Sequence, residues 1–206
     1  HKAFVDDGEI LPILDKIFNN GKKNLIVIKM IGVHYNFDDR YPNEYDIIRP
    51  SLKDASYPPE EKYKEVYLNT YENAMKYSTD VIYRIFKKVE NDSKQSLVVF
   101  VSDHGMNIFD KGKWNISNVK EVFHIPFMIY GNKNYMESVD QEKWQNLKNH
   151  LDSPLITNNI LETLVSLSDI TIENLRNGDL TKSDILKNER QVTFSDKTIH
   201  VYDEMK

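Results

Sequence analysis

An α/β fold with a mainly parallel central sheet flanked by helices is what this sequence predicts, on three observations. β-prone runs alternate with helical periodicities, the runs at 24–31 and 97–101 are apolar on both faces, and polar, chemistry-bearing residues follow directly after both runs. Ile10, Leu11, Ile13, Leu14 and Ile17 recur at helical spacing and stop at Asn19, Asn20 and Gly21, which predicts a short amphipathic helix. Asn24 to Ile31 follows at once as a nearly continuous β-prone run and reads as a strand buried on both faces. Between Gly32 and Glu61, Pro42, Pro50, Pro58 and Pro59 forbid a long helix, so a long loop begins where that strand ends.

Tyr63 to Val89 carries the longest apolar and aromatic stripe and predicts the longest helix, with its tyrosines in the core. Leu97 to Val101 is a second buried strand, expected at the centre of the sheet, and Ile125 to Tyr130 a third, closed by Gly131. Asp140 to Leu151 and Thr157 to Ser168 read as two further helices, the second opened by Thr157 or Asn158 as N-cap. Val192 to Phe194 and Thr198 to Tyr202, joined by Ser195, Asp196 and Lys197, predict a terminal hairpin. Neither an internal repeat nor a linker interrupts the chain, so residues 1–206 are expected to form part of one domain.

Composition narrows the function. Lys plus Arg number 27 against 32 Asp plus Glu, a net charge of −5, which argues against a nucleic-acid partner, since a phosphate-backbone binder needs a basic excess. Hydrophobic residues at 40% and charged residues at 29% fit a chain that folds. Without cysteine there is no disulfide framework, thiolate metal site or cysteine nucleophile. No run approaches the roughly 18 apolar residues that span a bilayer, so this stretch is expected to be soluble. The chain opens on His1 and is expected to be a fragment of something longer.

In open α/β sheets the active crevice lies beyond the carboxyl ends of the strands. Asp103-His104-Gly105 and Gly32-Val33-His34 both follow such ends. A carboxylate beside an imidazole can donate to a divalent ion such as zinc, and Gly105 lets the backbone turn without a Cβ clash. On these residues alone, Asp103 capping a turn beside an ordinary surface His104 is the favoured reading.

The segment Leu97 to Gly105, reading LVVFVSDHG, resembles the metal-binding segment of the alkaline phosphatase and sulfatase superfamily. Gly32-Val33-His34 with Asp39-Arg40-Tyr41-Pro42 is similar to the Gly-Ser-His and Arg-Tyr-Pro signature of bacterial phosphoethanolamine transferases. Tyr71-Glu72-Asn73-Ala74 looks like that family's Tyr-Asp-Asn helix, His124 to Tyr130 like its Pro-containing strand, and Thr157 to Ile170 like its late helix. The order of elements is kept over nearly the whole chain.

The resemblance implies an alkaline phosphatase/sulfatase-like fold, incomplete at the N-terminus, and zinc as cofactor with Asp103 and His104 as metal ligands. It implies catalytic positions for His34, near the phosphoryl group or a second metal, and for His124, in place of a second family histidine. Left to the residues, His34 could pack on Tyr35 or Tyr41, His124 could sit at the edge of the core, and Arg40 is expected to brace the loop. It also implies a phospholipid donor and a lipid A, lipopolysaccharide or glycan acceptor, at the periplasmic face of the bacterial inner membrane, reached through a missing N-terminal membrane segment.

Departures matter. Met106-Asn107 stands where the family has Glu-Ser, and the resemblance implies that the threonine nucleophile and one acidic zinc ligand lie upstream of what this chain contains. Thr70, Thr79, Thr157 and Thr163 are in the wrong context to be that nucleophile, and the matched motifs supply two zinc ligands with His34 at best a third, so the ligand set is expected to be incomplete and this chain alone inactive. The alternatives are a sulfatase-like metal-dependent hydrolase and a catalytically dead domain that binds through the loop between Tyr35 and Tyr63.

Overall fold

The computed structural model describes residues 6–115, 118–170, 172, 178–185 and 189–205. Helix α1 (Ile10–Phe18) is introduced by a 3-10 turn whose N-cap, Asp6, accepts from the Gly8 N–H at 2.7 Å. Helix α2 (Lys64–Glu90) has 27 residues and so runs about 40 Å. It is the spine of the molecule. Val66, Tyr67, Thr70, Asn73, Ala74, Tyr77, Val81, Ile85 and Val89 are its buried face, three or four residues apart as a helix in a core requires.

Two apolar clusters share that spine. Leu14, Tyr41, Ala74, Tyr77, Val81 and Ile85 form one, between α1 and the C-terminal half of α2. Phe37, Tyr67, Ile108 and Phe109 form the other, nearer its N-terminus, ringed by Tyr35, Tyr71 and Trp114. The tyrosines expected in the core divide by face: Tyr67 and Tyr77 are buried, whereas Tyr83 is exposed.

Strand β1 (Leu97–Val101) is followed by the short β2 (Asn107–Ile108) and β3 (Trp114–Asn115), then α3 (Lys120–Phe123) and strand β4 (Phe127–Gly131). Helices α4 (Lys133–Ser138), α5 (Gln141–Asn149) and α6 (Asn158–Leu167) come next, then the hairpin β5 (Gln191–Thr193) and β6 (Ile199–Val201). The predicted helices and hairpin are thus found, with Asp140 as N-cap of α5, accepting from the Glu142 N–H at 2.9 Å. Thr157 occupies the N-cap of α6, but its side chain makes no capping bond. Asn159 accepts from the Ile156 N–H instead, at 2.8 Å.

The sheet differs from expectation. Three ladders occur among the described residues, β1 with β4, β2 with β3 and β5 with β6, and all are antiparallel. β1, expected at the centre of a parallel sheet, has β4 as its one partner there. Among the described residues Asn24 to Ile31 joins no ladder, and it is not buried on both faces: Ile26, Ile28 and Met30 pack on the α1/α2 cluster, while Leu25 is 94% and Val27 86% exposed. The reason is physical. β-propensity records fitness for a pleated, covered surface, but a strand exists only where a neighbour supplies hydrogen bonds, and here the neighbours are helix side chains.

Candidate active site

The loop after β1 is fixed by its own residues. Ser102 Oγ donates to the His104 carbonyl at 2.9 Å, the His104 N–H donates to Asp103 Oδ1 at 3.0 Å, and His104 Nδ1 lies 2.7 Å from the Gly105 carbonyl. That last contact leaves Nε2 as the free face of the imidazole, 4.0 Å from Asp103 Oδ2. The Gly105 N–H donates to the Val122 carbonyl at 2.7 Å, and a Cβ at Gly105 would stand 2.7 Å from the Glu121 carbonyl. Glycine is therefore needed for close approach to α3, a contact the sequence could not display. Asp103 is left projecting, its side chain 89% exposed.

His34 is placed by a different device. Gly32 takes a positive φ of 57°, and the Asp7 carboxylate accepts from the Ile31 and Gly32 N–H groups at 2.9 and 2.8 Å. His34 Nδ1 then lies 2.5 Å from the Tyr35 carbonyl, and Arg40 Nε donates to the His34 and Asn36 carbonyls at 3.0 and 3.2 Å. Arg40 thus braces the loop through backbone carbonyls.

The rest of that loop is sewn to α2. Tyr41 is buried, donating to Asp46 Oδ1 at 2.9 Å, and Asn73 Nδ2 donates to the same oxygen at 3.2 Å. Asn73 also accepts from the Ile48 N–H at 3.0 Å and donates to the Ile48 carbonyl at 2.9 Å. The two motifs Arg-Tyr-Pro and Tyr-x-Asn therefore meet, and they clamp the loop. Burial, reinforced by the Asp46 carboxylate, pushes the Tyr41 hydroxyl well above the usual phenol range, so it stays a donor. Burial likewise raises the Asp38 carboxyl and lowers the Lys53 ammonium, which donates to the Tyr41 carbonyl at 2.8 Å.

His124 caps α3, and its Nδ1 lies 3.3 Å from the Tyr202 hydroxyl, with the two rings edge to face at 6.4 Å. Tyr202 follows β6 and takes the cations of Lys120 and Arg190 over its ring, so the terminal hairpin holds His124 from outside. Thr70 and Thr163, two of the threonines already set aside as nucleophiles, spend their hydroxyls on the carbonyls of Val66 and Asn159.

Zinc asks for about four donors in a tetrahedron, three of them from protein in an open site. Among the described residues no group of three or more His, Asp or Glu side chains could hold a metal ion. Asp103 and His104 are two adjacent donors, and neither His34 nor His124 completes them. The described residues do not fit a whole zinc site. Beside the Asp103 loop lies a cleft of about 350 Å³ between α2 and α3, lined by Leu68, Tyr71 and Met106 with Lys64, Asp110 and Glu121 among its polar groups.

A sequence model of the sulfatase family matches residues 3–170. The chain belongs to the sulfatase family. It is 24% identical over 139 residues to the phosphoethanolamine transferase EptA of Helicobacter pylori, covering 64% of this chain and 26% of that protein. With EptC of Escherichia coli K12 the identity is 24% over 153 residues, 68% of this chain and 24% of that one. The chain spans about a quarter of the length of these curated relatives.

Among solved structures, the zinc complex of the C-terminal periplasmic domain of E. coli EptC superposes with a TM-score of 0.83 at 17% identity, covering all of this chain and 59% of that domain. The soluble domain of lipooligosaccharide phosphoethanolamine transferase A from Neisseria meningitidis gives 0.70 at 23% identity, covering 85% of this chain and 55% of that one. The alkaline phosphatase/sulfatase-like α/β fold read from Ser102 to Gly105 and its companion motifs is the fold of this sulfatase-family chain. No helix among the described residues is long and apolar enough to cross a membrane.

Missed by the sequence reading were Asp7, Asp46 and Glu121. Each acts on residues distant in sequence or stands beside them, and a lone carboxylate in a polar stretch carries no periodic signal to mark it.

Proposed function

We propose that the chain is the C-terminal portion of one catalytic domain of a phosphoethanolamine transferase that modifies lipid A, lipopolysaccharide core or a periplasmic glycan. The observation that supports this is Asp103-His104-Gly105, presented at the carboxyl end of β1 with His104 Nε2 free, in a fold that superposes on a transferase domain holding zinc. In the full-length protein a phospholipid would be the donor, and the site would face the periplasm at the inner membrane. Zinc would be its cofactor, held by Asp103 and His104 together with ligands and a threonine nucleophile supplied elsewhere in that protein. His34 and His124 are the other catalytic candidates within this chain, and their roles belong to the same proposal.

A second reading is favoured by one pair of observations: Met106 replaces the expected carboxylate, and no third donor joins Asp103 and His104 among the described residues. On that reading the domain binds without catalysing. One assay separates the two. Transfer of phosphoethanolamine from lipid to acceptor is expected from the full-length protein, lost in His104→Ala, and undetectable for residues 1–206 alone. An inactive, zinc-free full-length protein would leave the binding domain standing, and turnover by the 206-residue chain would mean the nucleophile is misplaced.

A further inference from the structure

The sequence holds two Asn-Gly pairs, Asn20-Gly21 and Asn177-Gly178, and folding leaves their glycines in opposite states. Asparagine is chemically labile where the next main-chain nitrogen can reach its side-chain amide carbon, and glycine, without a Cβ, shields that nitrogen least. Asn177 lies outside the described residues, but Gly178 does not. It is buried, its N–H donates to Glu162 Oε2 at 2.6 Å, and its carbonyl accepts from Asn159 Nδ2 at 2.8 Å. A nitrogen that must give up its proton beside a buried carboxylate is a poor nucleophile, because the anion it would become faces a like charge.

Gly21 is the reverse. It takes a positive φ of 71°, a Cβ there would meet nothing within 4 Å, and no described residue accepts from its N–H. The exposed Asn20 accepts from the Lys22 N–H at 2.8 Å through Oδ1, an Asx turn whose ring contains both Asn20 Cγ and the Gly21 nitrogen. Asn24 Nδ2 donates to the same Oδ1 at 3.3 Å. Two donors on one carbonyl oxygen draw electrons from Cγ and stabilise charge arriving on that oxygen. Lys22 and Lys23 follow directly, and their positive charge favours an ionised Gly21 nitrogen.

We propose that Asn20 is a site of spontaneous covalent modification, closing on the Gly21 nitrogen to a succinimide that water opens to aspartate or isoaspartate. Hydroxide removes the Gly21 N–H proton, the nitrogen bonds to Asn20 Cγ, and the Cγ–Nδ2 bond breaks as ammonia leaves with a proton from water. A second water then adds to one ring carbonyl and breaks its bond to nitrogen. Addition at Cγ gives aspartate, and addition at the main-chain carbonyl gives isoaspartate. Nothing is oxidised or reduced. Either product lacks the Nδ2 donor that Asn20 now gives to Asn24 Oδ1 at 3.0 Å. Each also sets a carboxylate just past the C-terminal end of α1, where the helix dipole disfavours negative charge.

The test follows both pairs in the folded full-length protein, incubated at mildly alkaline pH in water carrying heavy oxygen. Peptide mapping reads the label taken up at each. Asn20 is expected to convert roughly tenfold or more faster than Asn177, with isoaspartate among its products. In urea the two rates should converge, since only folding distinguishes the pairs. Gly21→Ala should slow conversion of Asn20 by roughly tenfold or more and leave Asn177 as it was. Equal rates at the two pairs in the folded protein would overturn the proposal. So would conversion of Asn20 that is slower in the folded protein than in urea, or a rate at Asn20 that Gly21→Ala leaves unchanged. None of these readouts uses transfer activity, so the modification site stands or falls apart from the transferase reading.

Discussion

The loop from Gly32 to Glu61 and the sheet built on β1 both descend from β-prone runs, yet they are finished to different degrees. In the loop, Phe37 and Tyr41 are wholly enclosed and Asn73 makes three bonds that hold the chain against α2. On the sheet, none of the five residues of β1 is buried, and Asp103 beyond it stands in solvent. The loop is held by bonds among the described residues, while among those same residues no third donor joins Asp103 and His104. The difference teaches that a buried irregular loop can be more self-sufficient than a regular strand, because side chains close its polar groups locally whereas a strand waits for a neighbour.

Breaking the finished region should cost most. Phe37→Ala removes a ring packed edge-on against Tyr35, Tyr71 and Trp114, and should lower stability by about 3–5 kcal/mol in urea unfolding. A loss below about 1 kcal/mol would mean that the aromatic cluster is not a core. Asn73→Ala leaves Asp46 and both main-chain groups of Ile48 short of a partner inside the clamp, at a cost of about 2–3 kcal/mol, read in the same way.

The loop should also show a smaller dependence on acidity. Burial raises the Asp38 carboxyl above its ordinary value, so the folded state holds that proton more tightly than the unfolded one. Its stabilising contribution is present below the ordinary carboxylate range and is lost as pH rises through the raised value. Asp38→Asn should flatten that slope and stabilise the chain at neutral pH by less than about 1 kcal/mol, since the group is partly solvated. Melting temperatures taken between acid and neutral pH would show it, and an unchanged slope would place the titration elsewhere.

Least affected should be the site itself. Asp103→Ala alters a projecting carboxylate whose one described hydrogen bond is to its neighbour's N–H, and stability should move by no more than about 0.5 kcal/mol. A large loss would make Asp103 a structural cap and remove the contrast between the two regions.

Much of this molecule was legible from its residues. Helical spacing is a local property, so α1, α2, α5 and α6 appear within a residue or two of where their apolar stripes place them. The Asp103-His104-Gly105 turn was legible because its residues adjoin one another after a β-prone run. The Asp7 carboxylate under Gly32, the meeting of Tyr41 with Asn73 through Asp46, and the pressure of α3 on Gly105 were not, since each joins residues far apart in sequence.

By itself the sequence determined which segments are helical, which are β-prone, and where the chemistry-bearing residues follow them. Tertiary structure alone decided pairing and burial. Leu97 to Val101 found a partner in β4 and Asn24 to Ile31 found none among the described residues, though their compositions are alike, because a ladder depends on what lies beside a strand in space and not on what the strand is made of.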